Sequence, residues 1–214
     1  MYNMKKFPQR TVARAFMYLR ALDSLIEEDK DCVSSRELAD MAGVADVQVR
    51  KDISIFGKVG RPRIGYETRK LKKLLEEYIV QNVVHVVLFG VGNLGSAILR
   101  YPGFQDDKVK IVAAFDNDPD KIGKAINGIS IYPLEKAAVF IPKKHIEIGV
   151  IAVPKQSSQR IADILVSCGI KGIINFSPTT INVSKDVYVR NIDLAVEFLT
   201  LFCDMRSRRL SNSG

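Results

Sequence analysis

Between residues 8 and 29, apolar side chains recur at Val12, Ala15, Phe16, Leu19, Leu22, Leu25 and Ile26. Steps of three and four put them on one face of a helix, and Pro8 suits its first turn. The stretch VSSRELADMAGVADVQVRKDISIFG then breaks into two shorter periodic segments. Ser34 and Glu37 stand at capping-box spacing, in which each side chain satisfies a backbone amide left free at a helix start. Leu38, Met41 and Ala42 form a short apolar face, and Gly43 fits a left-handed C-terminal turn. Asp46 is placed to cap a second helix whose Val47, Val49, Ile53 and Phe56 face inward. Two short helices joined through a glycine turn predict a helix-turn-helix. The glycine-rich GKVGRPRIGYE that follows predicts a hairpin, or wing. Leu71, Leu74, Leu75, Tyr78 and Ile79 mark another amphipathic helix over 69–81, which completes a first, winged-helix domain at 1–81.

From Val84 the period changes. VHVVLF is a run of β-branched and aromatic residues, the mark of a buried strand. KIVAAF predicts a second strand ending at Asp116, IEIGVIAVP a third ending at Pro154, then KGIINF and VYVRNID. A helical segment follows the first strand, and another over 156–168 is stopped by Gly169. Strand–helix alternation predicts an α/β domain at 82–191 with a doubly wound parallel sheet of the Rossmann type. A last amphipathic helix, Asp193 to Arg206, carries Leu194, Ala195, Phe198, Leu201, Phe202 and Met205. It either covers its own domain or inserts into a second copy, and the pattern alone favours the self-contained cap.

At 214 residues the chain is long enough for two domains with a core each. Its apolar runs fall far short of a membrane span, and the basic N-terminus lacks the apolar segment of a secretory signal. Cys32, Cys168 and Cys203 have no metal-ligand spacing, so no metal is expected. An odd, unclustered set of thiols fits a reducing cytoplasm. The net charge of +8 is concentrated: from Arg50 to Lys73 nine basic residues face only Asp52 and Glu67. A local excess of this kind points to a polyanion. Gln48, Arg50 and Lys51 open the second helix of the helix-turn-helix, where side chains meet base edges in the major groove. There Arg and Lys donate to guanine, and Gln pairs with adenine. Lys58, Arg61 and Arg63 belong to the wing, whose arginines suit a narrow minor groove. Lys72 is expected to touch phosphate. Asp52 would repel phosphate, so it is expected off the DNA face or orienting a neighbouring basic side chain.

The second domain carries Gly90-Val91-Gly92-Asn93-Leu94-Gly95, a G-x-G-x-x-G with a strand before it and a helix after. The first glycine permits the tight turn, the second lets backbone approach a pyrophosphate, and the third lets the helix pack close to the strand. The helix N-terminus adds amide donors for the anion. Asp116 lies 21 residues beyond Gly95, where a carboxylate accepts from an adenine ribose. Asn117, Asp118 and Pro119 include no basic residue, which favours NAD+ or NADH over the 2′-phosphorylated forms. Pro154, Asn175 and Phe176 lie at strand carboxyl ends and are candidates to line the nicotinamide half. Catalysis of hydride transfer needs an acid or base near the substrate. His85 stands at the beginning of the first strand and His145 precedes another, both at the wrong end of the sheet. Little chain remains for a substrate domain. The reading is of a non-enzyme. The alternatives are a small NAD-dependent oxidoreductase and a CoA- or nucleotide-binding module.

VQVRKDISIFGKVG, GYE, FGVGNLGSAILRYPGF, FDNDPDKIG, AVP and GIKGIINFSP together resemble the redox-sensing transcriptional repressors called Rex, over nearly the whole chain. The resemblance implies a homodimer with winged-helix heads, Rossmann bodies and a C-terminal helix, 192–214, swapped into the other subunit. It implies nicotinamides near the dimer interface and release of operator DNA when NADH replaces NAD+. Matched motif by motif, it makes Arg20 of YLR, Tyr101 of YPGF and Asp193 of NID members of the coupling network.

Overall fold

The computed structural model describes residues 7–61, 64–79, 83–102 and 108–211. The chain divides into two units, 1–82 and 83–214. The first holds α1 (Gln9–Glu27), β1 (Cys32–Val33), α2 (Ser35–Ala42), α3 (Asp46–Phe56), β2 (Gly60–Arg61), β3 (Gly65–Glu67) and α4 (Thr68–Ile79). The second holds β4 (Val84–Phe89), α5 (Asn93–Arg100), β5 (Val109–Asp116), β6 (Ala125–Ile126), β7 (Ile129–Pro133), α6 (Ala137–Lys143), β8 (Ile148–Ile151), α7 (Lys155–Ser167), β9 (Gly172–Asn175), β10 (Tyr188–Asn191) and α8 (Leu194–Ser211).

In the first unit, Ala15, Leu19 and Leu22 of α1 pack with Leu38, Val49, Ile53, Leu71 and Leu75 from the other three helices. Gly43 ends α2 in the left-handed conformation. The expected capping box is only half made. Ser34 accepts from the Glu37 amide (3.1 Å), but the Glu37 carboxylate pairs with Lys30 instead of reaching back. The cap position of α3 is Ala45, not Asp46; the Asp46 carboxylate is taken by Arg50 one turn on (2.7 Å). Val47 and Met41 are exposed rather than inward-facing, because both short helices bury little more than one stripe. β2 and β3 pair antiparallel as the wing, and β1 pairs with the other edge of β3, a strand too short to show a periodic signal. Winged-helix architecture follows from this order.

The second unit is a seven-stranded sheet in the order β10-β9-β8-β4-β5-β7-β6, parallel except for the β6–β7 hairpin. Alternation along β4 divides its side chains between two cores. Val87 and Phe89 pack on one face with Ile161 and Leu165 of α7 and Ile141 of α6. Val86 and Leu88 pack on the other with Ile98 and Leu99 of α5. Helices on both faces of a parallel sheet make this a Rossmann-type fold.

The final helix departs from a self-contained cap. Val196, Phe198, Leu199, Leu201 and Phe202 of α8 are all exposed, Phe198 at 74%. Its apolar positions run most of the way round the helix, a pattern that water does not stabilise.

Candidate functional site

β4 stands at the centre of the sheet, with β5 beside it on one side and β8 on the other. The carboxyl ends of β4 and β8 therefore flank the crevice in which such sheets bind ligands. The loops there are stitched together by backbone. The Gly90 amide donates to the Phe115 carbonyl (2.9 Å), the Ala152 amide to Phe89 (2.8 Å) and the Phe176 amide to Ile151 (2.9 Å).

Gly90 has φ +93°, and a Cβ there would lie 2.6 Å from the Ala152 carbonyl oxygen. A Cβ on Gly95 would stand 1.9 Å from the Gly90 oxygen, so no larger residue permits this strand–helix approach. Gly92 differs: it caps α5, and nothing lies within 4 Å of a Cβ built on it. Open space beside a helix N-terminus, bounded by glycine backbone, fits a pyrophosphate. Asn93 and Leu94 are exposed on the first turn, while Val91 is buried.

Asp116 is 6% exposed, and its carboxylate holds the loop together. One oxygen accepts from the Val91 amide (2.6 Å), the other from the Asp118 amide (2.9 Å). Each oxygen keeps a further lone pair for a ribose hydroxyl. The three residues after Asp116 lack a base, but the turn beyond them returns Lys121, whose Nζ lies 3.1 Å from Asp118 and 3.7 Å from Asp116. A bond from the Asp120 amide and the neighbouring Lys121 hold the Asp118 carboxyl below its ordinary range.

Pro154 lies three residues beyond the end of β8, at the start of α7. Asn175 has no exposed surface; its amide donates to Thr179 O (2.8 Å) and Asn191 Oδ1 (2.9 Å) and its oxygen accepts from Ser177 N (3.0 Å). Its polar atoms serve to staple the β9 loop to β10. Phe176, the next residue, is half-buried. His85 lies at the start of β4, and His145 in the turn before β8, both at amino ends of strands.

In the first unit Arg50, Lys51, Lys58 and Arg61 are exposed. Arg63 lies outside the described residues. The Arg50 guanidinium donates to Asp46 (2.7 Å) and Ser35 (3.1 Å). Gln48 is half-buried and donates to Asp52 (2.9 Å). Lys72 is bound to Asp23 of α1 (2.6 Å), an internal tie that the sequence pattern did not reveal and that competes with phosphate. Asp52 is buried, bridging α3 to Arg14 and Tyr18 of α1; no local pattern marks contacts 38 and 34 residues away in sequence.

Arg20 is exposed on α1. Tyr101 is exposed at the end of α5. Asp193 caps α8, its Oδ1 accepting from the amides of Ala195 (3.0 Å) and Val196 (3.4 Å).

A family model described as a putative DNA-binding protein N-terminus matches residues 6–54, and one described as a CoA binding domain matches 82–179. A winged helix in series with a Rossmann-type nucleotide fold is thus the class. A redox-sensing transcriptional repressor Rex from Carboxydothermus hydrogenoformans is 40% identical over 202 residues, 94% of this chain and 97% of its own. RSP, a Rex-family repressor, superposes in its complex with β-NAD+ and operator DNA at a TM-score of 0.85 and 30% identity, over 98% of this chain and 97% of its own. In complex with β-NADH it superposes at 0.82, over 98% and 99%. The chain belongs to the Rex family of redox-sensing transcriptional repressors.

Proposed function

We propose that the chain is a cytoplasmic repressor that binds double-stranded operator DNA as a homodimer and releases it when NADH replaces NAD+. The likeness to RSP over the full chain, in both its NAD+–operator and its NADH complexes, carries this reading. The relatives are repressors, so the site is a sensor and not a centre of turnover. No helix among the described residues is long and apolar enough to cross a membrane.

Residues 1–81 form the reader, 82–191 the sensor and 192–214 the arm that joins two copies. Gln48, Arg50 and Lys51 read bases, with Lys58, Arg61 and Arg63 on the wing. The loop Gly90–Gly95 holds the pyrophosphate and Asp116 the ribose, while Pro154 and Phe176 border the nicotinamide, with Asn175 fixing their loop. The bound nucleotide supplies a pyridine ring that is positively charged when oxidised and neutral when reduced. A buried interface penalises an unpaired charge, so the closed dimer favours the reduced form. Differential affinity is all that is needed to shift two conformations, and a coupling of about 1–3 kcal/mol changes operator affinity ~5–150-fold. Asp193, arranged with Tyr101, contacts Arg20 in one of the two states and so biases the reader heads. Two recognition helices must stand about 34–36 Å apart, or at multiples of it, to reach successive major grooves; closure that alters this spacing releases DNA.

The test is a gel shift on a randomised duplex pool with each nucleotide, paired with calorimetry of both. The reading expects a retained fraction with NAD+ that NADH depletes. A chain that retains no duplex, or takes up neither nucleotide, would overturn it.

A further inference from the structure

A carboxylate in the middle of a DNA-reading helix is a cost unless it does something there. Asp52 is 1% exposed, and five donors among the described residues surround it. The Arg14 guanidinium approaches as a fork, Nε to Oδ2 at 2.5 Å and Nη2 to Oδ1 at 2.8 Å. The Tyr18 hydroxyl donates to Oδ2 (2.9 Å), and the Thr11 hydroxyl to Oδ1 (3.2 Å). The fifth donor is Nε2 of Gln48, one turn earlier on α3, at 2.9 Å from Oδ1. Burial alone would raise the Asp52 carboxyl, but bonds from Arg14, Tyr18 and Gln48 outweigh it and hold the group ionised.

The bond to Gln48 has a chemical consequence. A glutamine amide turns freely between two-fold-related orientations, and a carboxylate accepts only from its NH2 end. Asp52 therefore selects one orientation. Accepting the Nε2 hydrogen that points away from Oε1 leaves the other hydrogen and Oε1 as an adjacent donor–acceptor pair. That pair is what adenine requires, a donor to N7 and an acceptor from N6–H. The fork from Arg14 and the bond from Tyr18, both on α1, fix Asp52 in turn.

We propose that Asp52 is a positioning residue for base readout: anchored to α1 by Arg14 and Tyr18, it presets the Gln48 amide for adenine and so imposes an A·T requirement at one position of each half-site. The inference rests on the DNA-reading function proposed above. Other carboxylate-bearing positions of α3 do not share this role, since Asp46 is engaged by Arg50.

The full-length protein, with NAD+ present, is used to select sequences from a randomised duplex pool, for the unaltered chain and for Gln48→Ala, Asp52→Leu, Tyr18→Phe and the Gln48→Ala/Asp52→Leu pair. Gln48→Ala is expected to lose preference for A·T at one position per half-site. Asp52→Leu, which keeps the shape and removes both acceptor oxygens, should relax the same position by about tenfold, the order of one good bidentate contact. Tyr18→Phe, which keeps the ring in its buried place, should relax it less. The double variant should match Gln48→Ala alone, because both changes remove one interaction. If Asp52→Leu fails to fold, Tyr18→Phe decides. A folded variant that keeps the full preference at that position, or weakens all duplexes equally, would show a structural role only and overturn the inference. An unaltered chain that selects no sequence removes the DNA-reading function itself, and the inference with it.

Discussion

Gly92, which caps α5, and Gly95, in its first turn, sit three residues apart, yet a methyl group does opposite things at the two positions. At Gly95 it meets the Gly90 carbonyl oxygen at 1.9 Å; at Gly92 it meets nothing within 4 Å. Gly95→Ala is expected to destabilise the second unit by about 1–3 kcal/mol or more, the cost of overpacking against backbone, seen as a lowered melting temperature. Gly92→Ala should leave the melting temperature of the nucleotide-free protein within the change expected of about 0.5 kcal/mol. It should nevertheless weaken NADH about tenfold or more by calorimetry, because the added carbon occupies the pyrophosphate's approach. Equal effects of the two substitutions on stability would contradict this division. Asp116 shows the limit of motif reading at this scale. Its position at the end of β5 is legible from spacing, but its two backbone partners, Val91 and Asp118, and the return of Lys121 are properties of loop conformation.

At the scale of elements, the tie between α1 and α3 makes a pH prediction. The Asp52 carboxyl is held below its ordinary value, so its contribution to stability is present above the unfolded value of about 3.9. That contribution is lost as pH falls through the folded value. Hydrogen exchange of α1 and α3 amides, corrected for intrinsic rates, should therefore accelerate on acidification below about pH 4. Removing one donor with Tyr18→Phe raises the folded value towards the unfolded one and should shrink the acid-dependent acceleration; an acceleration of unchanged size would show that Tyr18 does not hold the carboxylate. The helices of the first unit were legible from a periodic apolar face, and the strands β4, β5, β8 and β9 from apolar runs between turns. The wing hairpin was legible from its glycines. β1 and the β6–β7 hairpin were not placed as strands, since the two residues each of β1 and β6 carry no alternation. The exposure of Val47 and the pairing of Lys72 with Asp23 depend on neighbours distant in sequence, which periodicity within one helix does not encode.

For the whole molecule, α8 decides what the functional particle is. Its exposed Phe198, Leu199 and Leu201 need a cover, and the proposed homodimer supplies one from a second copy. Phe198→Asp, which puts a charge on that face, is expected to shift the sedimenting species from dimer towards monomer while leaving the helical content of the first unit intact. A dimer of undiminished strength would place the interface elsewhere. The central claim is that one chain joins a DNA reader to a pocket that distinguishes reduced from oxidised nucleotide. Its most direct measurement is fluorescence anisotropy of a labelled duplex selected with NAD+, at constant total nucleotide, as NADH is substituted stepwise for NAD+. The account predicts a bound fraction that falls as the reduced share rises, with affinity lower by ~5–150-fold at the reduced end. A bound fraction that stays level across the whole range of ratios would contradict it.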